Sequence, residues 1–141
     1  KAEDGQQPEI LLQKRSMTKA NSPGAYHLSA GGHINVRETP IEAALRETFE
    51  EMGVALTADD LFYVGSMRLI KRNPNDIVHV YLYRLKGDEE FRYIDGEVDS
   101  VEWRTLDNFK EITSAPSEHN LIDQGQAYFN FLIDSLEHIL Q

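Results

Sequence analysis

Residues 39–53 admit few alternatives. Thr39 suits the N-cap and Pro40 the first helical position, where no amide hydrogen is needed, while Glu42 completes a Thr-x-x-Glu capping box. Gly53 suits the left-handed residue that closes a helix. A helix is therefore expected from Pro40 to Met52, with Ile41, Leu45, Thr48 and Met52 as a stripe facing the core. The same helix carries Glu42, Glu47, Glu50 and Glu51 with only Arg46 to balance them. Glu47, Glu50 and Glu51 are spaced i, i+3, i+4, which points them to one side, opposite the apolar stripe.

Like charges crowded in this way cost stability, so two readings stand. Surface acids are most often simply solvated. The alternative is a cation from outside the helix, favoured by the crowding and by the Gly31-Gly32 loop, whose backbone lets a ligand come close. A hard ion such as Mg²⁺ takes carboxylate oxygens and keeps other positions for water and substrate phosphates.

Composition narrows the ligand. The net charge is −10 and the basic residues form no run, which argues against a grip on a nucleic-acid polymer. A small phosphorylated substrate remains compatible, because a metal ion neutralises acids and ligand together. Cysteine is absent, which removes disulfides, a thiolate nucleophile and cysteine-type zinc sites. No apolar run approaches the roughly 18 residues of a membrane span, and no secretory apolar segment is visible. A cytoplasmic address, with no membrane partner, is the default expectation.

The 141 residues suffice for one domain with a real core, and a single domain over 1–141 is expected. Residues 1–8 read as a loop or frayed turn, 9–15 as a strand, 16–24 as a loop, and 25–32 as a short strand entering the diglycine. Two β-rich runs, 61–70 and 76–85, flank a hairpin turn at 71–75, and 99–106 reads as a further strand. Residues 117–141 read as a second amphipathic helix, with Ile122, Phe129, Leu132, Ile133, Leu136 and Leu140 along one face. That face is assigned to the core rather than to a second subunit, and monomer and homodimer both stay open. The order predicts an α/β fold, a mixed β-sheet held between helices.

From Gly32 to Val54 the chain resembles the Nudix box, G-x5-E-x7-R-E-U-x-E-E-x-G-U, where U is a bulky aliphatic residue. Gly32, Glu38, Arg46, Glu47, Glu50, Glu51, Gly53 and Val54 fall in register, and Thr48 departs at the first U position. The likeness extends loosely from Glu9 to Trp103. It implies a Nudix-type α/β/α sandwich, cleavage of a diphosphate linked to a moiety X, and Mg²⁺ (Mn²⁺ as an alternative) on Glu47, Glu50 and Glu51. In that family the general base is a box glutamate or a glutamate on a later loop. The resemblance thus implies Glu97 or Glu47 as base, with Glu50 as a third catalytic candidate. An exposed turn glutamate after Asp95-Gly96 is the plainer account of Glu97. Glu38 and Arg46 are expected to form a structural ion pair.

Residues 11–33, "LLQKRSMTKANSPGAYHLSAGGH", resemble the isopentenyl-diphosphate isomerase-like branch of the superfamily. That likeness implies phosphate contacts from Arg15 and Lys19, a substrate loop at Gly31, Gly32 and His33, and a possible ligand role for His33. Strand-edge and loop charges are the plainer alternatives. Isomerase chemistry is not expected, because Gly31 stands where the isomerase cysteine would be and only Asp76 stands near the place of its later acid pair. Hydrolysis is the expected chemistry. A ligand sensor retaining the fold, and an isomerase using another acid, are the rivals.

Overall fold

A computed structural model describes residues 6–71 and 73–140. The elements run β1 (Glu9–Arg15), β2 (Tyr26–Leu28), α1 (Pro40–Met52), β3 (Phe62–Arg68), β4 (Ile77–Leu82), β5 (Val98–Thr105), α2 (Leu106–Ser114) and α3 (Gln126–Leu140), with short 3-10 turns at Ala58–Asp60 and Pro116–His119. The expected turn at residues 1–8 lies partly outside the described residues, and so does Arg72 of the expected hairpin turn.

β1 is the centre of a three-stranded sheet ordered β2-β1-β5, and β3 and β4 form a separate ribbon. Each of these pairs is antiparallel. Among the described residues the parallel component is a bridge between Tyr26 and Leu121.

Alternation along β1 sorts the core into two layers, because successive side chains point to opposite faces of a strand. Leu12 joins Phe109 and Ile112 of α2 and Tyr128, Phe129 and Leu132 of α3. The inner residues of the β3–β4 ribbon, Val64, Met67, Val78 and Val80, pack on this same cluster. Leu11 points the other way and packs with Met52 of α1 and Val98 of β5. Helices thus flank the three-stranded sheet on both faces, an α/β/α sandwich, and β1 presents Gln13 as well as Leu11 to the α1 side.

The structure changes the sequence expectation in three places. The final helix begins at Gln126, and Ile122 precedes it. Asn120 is left-handed (φ 52°) and Gly125 has φ 95°, and between them Ile122 donates its amide to Tyr26 O. That segment is spent on pairing with β2, which a helix could not do. Secondly, α2 was not anticipated, although Thr105 caps it by accepting the Asn108 amide and its Phe109, Ile112 and Thr113 are buried. Thirdly, the acidic side of α1 does not lie opposite the core. Ala43, Glu51 and Met52 are its buried residues, while Ile41, Leu45 and Thr48 are only half-buried. Ala43, Glu47 and Glu51 form one i, i+4, i+8 row, and the small alanine lets that row settle inward.

Candidate active site

Helix α1 is fixed at both ends, which fixes its carboxylates. Thr39 and Glu42 make the reciprocal capping box, with the Thr39 amide donating to Glu42 at 2.8 Å. At the other end Gly53 is left-handed (φ 71°), and a side chain there would also collide with the Arg92 backbone. The loop 92–95 closes the helix: the Arg92 amide donates to Met52 O at 2.8 Å, and the Ile94 and Asp95 amides donate to Glu50 O. That loop continues through Glu97 into β5, so the late acid and the helix are mechanically joined.

Arg46 is the hub of the acidic helix. It donates to both oxygens of Glu38 (2.7 and 2.9 Å), to Glu47 at 2.7 Å, to Glu50 at 3.1 Å and to the His33 carbonyl at 2.9 Å. The five donors of a planar guanidinium make this possible, where the three donors on a lysine's single nitrogen would not reach all these acceptors. The Arg46 guanidinium holds the Glu38 carboxyl well below the usual range, at about 2, helped by the Asn35 amide. The same contacts with Glu38 and Glu47 push the Arg46 guanidinium pKa up.

Glu51 stands in a different environment. It is 4% exposed. Its Oε2 accepts from Gln13 Nε2 at 2.7 Å and from the Gly31 amide at 3.1 Å. Both donors are neutral, and burial pushes the carboxyl up to about 7 against them, with the Glu47 and Asp95 charges adding to the rise. Glu47 is also raised, first by burial, with Glu50 and Glu97 adding to it and Arg46 opposing. Its carboxylate lies against Gly32, where any side chain would overlap it. The diglycine therefore has two separable uses: Gly31 supplies an amide, and Gly32 supplies room.

The remaining sequence candidates divide. Glu97 is near enough to Glu47 to raise it, and Lys19 Nζ binds Glu97 Oε1 at 2.7 Å. Lys19 thus stands at the acidic site. Arg15 Nη2 donates to Asn21 O at 2.9 Å, tying down the loop, while its Nε is buried without a partner among the described residues. His33 is exposed and contributes its carbonyl to Arg46. Gln13 and Asp95 were missed. The alternation of β1 could have placed Gln13 on an inner face, but nothing local tells which partner a buried glutamine will meet.

Glu47, Glu50 and Glu51 do not gather around one point: among the described residues no three acids or histidines form a metal-holding group. Arg46 draws Glu47 and Glu50 to itself, whereas Gln13 and Gly31 draw Glu51 inward. The donor set nonetheless suits a hard divalent cation. It offers carboxylate oxygens, and of the two raised acids Glu51 is buried against neutral donors while the half-buried Glu47 shares Arg46 with Glu38 and Glu50.

Comparison with known proteins bears on this arrangement. A profile of the NUDIX domain matches residues 2–124. The chain is 29% identical over 115 residues to Nudix hydrolase 3 of Arabidopsis thaliana, covering 75% of this chain and 15% of that protein. It is 44% identical over 46 residues to the isopentenyl-diphosphate Delta-isomerase of Streptomyces coelicolor, covering 33% of this chain and 23% of that one. It therefore spans only a minor part of either relative's length. The fold is similar to that of the MutT protein of Methanosarcina mazei, with a TM-score of 0.67 at 21% identity over 94% of this chain and 86% of that one.

Proposed function

Because the chain belongs to the Nudix family, we propose that it hydrolyses the phosphoanhydride bond of a small organic diphosphate, with Mg²⁺ or Mn²⁺ held by Glu47, Glu50 and Glu51. One observation carries this reading: Glu51 is a buried acid whose hydrogen-bond donors among the described residues are both neutral, beside a second raised acid, Glu47. A divalent cation bound there would lend positive charge to phosphate oxygens and acidity to a water molecule.

The chain's own residues take the other roles. Gly32 leaves the space that Glu47 fills, which keeps that carboxylate at the loop where phosphates would lie. Glu97 and Glu47 are the candidate proton acceptors, and Lys19 holds Glu97 in place. Lys19 and Arg15 supply positive charge toward the phosphates on an otherwise acidic surface. Arg46 belongs to the scaffold, since its donors are spent on Glu38, Glu47, Glu50 and the His33 carbonyl. Water attack on phosphorus then yields a phosphate or phosphate ester as leaving group.

The test is phosphoanhydride cleavage, read as release of phosphate, pyrophosphate or phosphate monoesters from a panel of nucleoside triphosphates, nucleotide sugars and isoprenoid diphosphates, with Mg²⁺. Loss of the Glu51 carboxylate removes several kcal/mol of transition-state charge stabilisation, so Glu51→Gln is expected to be about 10²–10³-fold slower. Equal rates for the wild type and this variant would sink the enzyme reading. Allylic product without phosphate release would turn the assignment to an isomerase.

A further inference from the structure

We propose that Gln13 is a positioning residue for the cation site: its side-chain amide selects which oxygen of Glu51 is offered to a metal ion. The inference rests on the reading of Glu51 as a metal ligand. It concerns a strand residue outside the acidic helix and its loops.

Gln13 lies in the middle of β1, paired with Val101 and with His27, and is 3% exposed. Its Nε2 donates to the Ser29 carbonyl at 3.2 Å and to Glu51 Oε2 at 2.7 Å. A backbone carbonyl only accepts hydrogen bonds, so the NH₂ side of the amide must face Ser29, and this fixes the orientation of the whole group. Both amide hydrogens are then used. One ties the strand leading to the diglycine, and the other holds the carboxylate.

The Gly31 amide reaches the same Glu51 oxygen at 3.1 Å. Two donors therefore converge on Oε2, and Oε1 is the atom left for a cation. A carboxylate restrained in this way loses little rotational freedom on binding a metal, and it cannot swing toward Arg46 as Glu47 and Glu50 do. Gln13 also couples the ligand to the loop. Ser29 O, Gly31 N and Glu51 Oε2 are joined through one buried amide, so the carboxylate and the diglycine keep a common position.

The experiment is a Mn²⁺ titration of the metal-free full chain, followed by electron paramagnetic resonance of free Mn²⁺. The proteins are wild type, Gln13→Met, Glu51→Gln and the double variant, each with a melting curve. Gln13→Met keeps the volume and removes both donors. It is expected to weaken Mn²⁺ binding about 10–100-fold, the usual cost of losing a group that orients a ligand. Because the residue acts through Glu51, the same change should cost less than about 2-fold in the Glu51→Gln background, a strongly non-additive cycle. A merely structural glutamine predicts a lower melting temperature with unchanged Mn²⁺ affinity, and that result overturns the inference. So does a loss that is equal in both backgrounds. Wild-type protein that takes up no Mn²⁺ overturns the reading of the site and this inference together. Should Gln13→Met fail to fold, Gln13→Asn replaces it. The shorter amide cannot span both acceptors, and wild-type affinity in that folded variant overturns the inference.

Discussion

Glu38 and Glu51 bracket one motif and have opposite fates. Glu38, at the entrance to α1, is held by both arms of Arg46 and sits at about 2. Glu51, in the last turn, accepts from an amide side chain and a backbone amide among the described residues, and burial lifts it to about 7. The two carboxylates are chemically identical. What separates them is the source of the balancing charge: Arg46 supplies it for Glu38, and among the described residues no cationic side chain supplies it for Glu51. A site that needs an external cation is recognised by that second condition rather than by a count of acids.

The sharpest way to break the comparison is to disturb the acidic row without touching a charge. At Gly32 a methyl group would overlap the Glu47 carboxylate, whereas at Gly31 it would meet nothing within 4 Å. Gly32→Ala is expected to lower kcat by about 10²-fold, since a misplacement of about 1 Å at a reacting group costs that much. Gly31→Ala should stay close to wild type, because its amide donor survives. Equal effects in a steady-state assay would mean that the diglycine is needed for backbone freedom instead of for Glu47.

A second test uses pH. Glu51 is raised from its unfolded value, so its folded form binds a proton more tightly, and its contribution to stability is fully present at low pH and lost as pH rises toward 7. In metal-free protein the unfolding free energy should fall by on the order of 2 kcal/mol between roughly pH 4.5 and 7 from this group. Glu51→Gln should abolish that slope, and saturating Mn²⁺ should oppose it, as urea titrations across the range would record. A slope unchanged in the variant would mean that Glu51 is no more burdened than Glu38.

The smallest effect is expected at Arg46. Arg46→Met removes donors to three carboxylates, but these are partly exposed and can recover water, so a loss of about 1 kcal/mol is expected in chemical denaturation. Added Mg²⁺ should restore part of it if Glu47 and Glu50, once released, turn to the cation. No recovery would confine Arg46 to holding Glu38 and the loop.

Much of the local structure was legible because its causes are local. The caps of α1, Thr39 with Glu42 and Gly53, act within a few residues, and the observed helix spans Pro40–Met52. β1 at Glu9–Arg15 likewise follows from an apolar run bounded by polar residues. Helix α2 was legible but unread, for Thr105 caps it and Phe109, Ile112 and Thr113 repeat at helical spacing. The end of the chain was misread for another reason. Ile122 sits at a spacing that fits the apolar face of the helix that follows, but the pairing of Tyr26 with Asn120 and Ile122 claims this backbone for the sheet.

The sequence by itself determined the acidic helix, its termini, the diglycine before it and the absence of a thiol, since these depend on residue type and short spacing. Tertiary structure alone decided which carboxylates are buried and which are neutralised. Helical periodicity puts Glu47, Glu50 and Glu51 on one side but cannot say whether that side meets water, Arg46 or β1. Packing turned the Ala43–Glu47–Glu51 row inward and set Gln13 against its last member, and the charge balance at that contact depends on groups 38 residues apart in the chain.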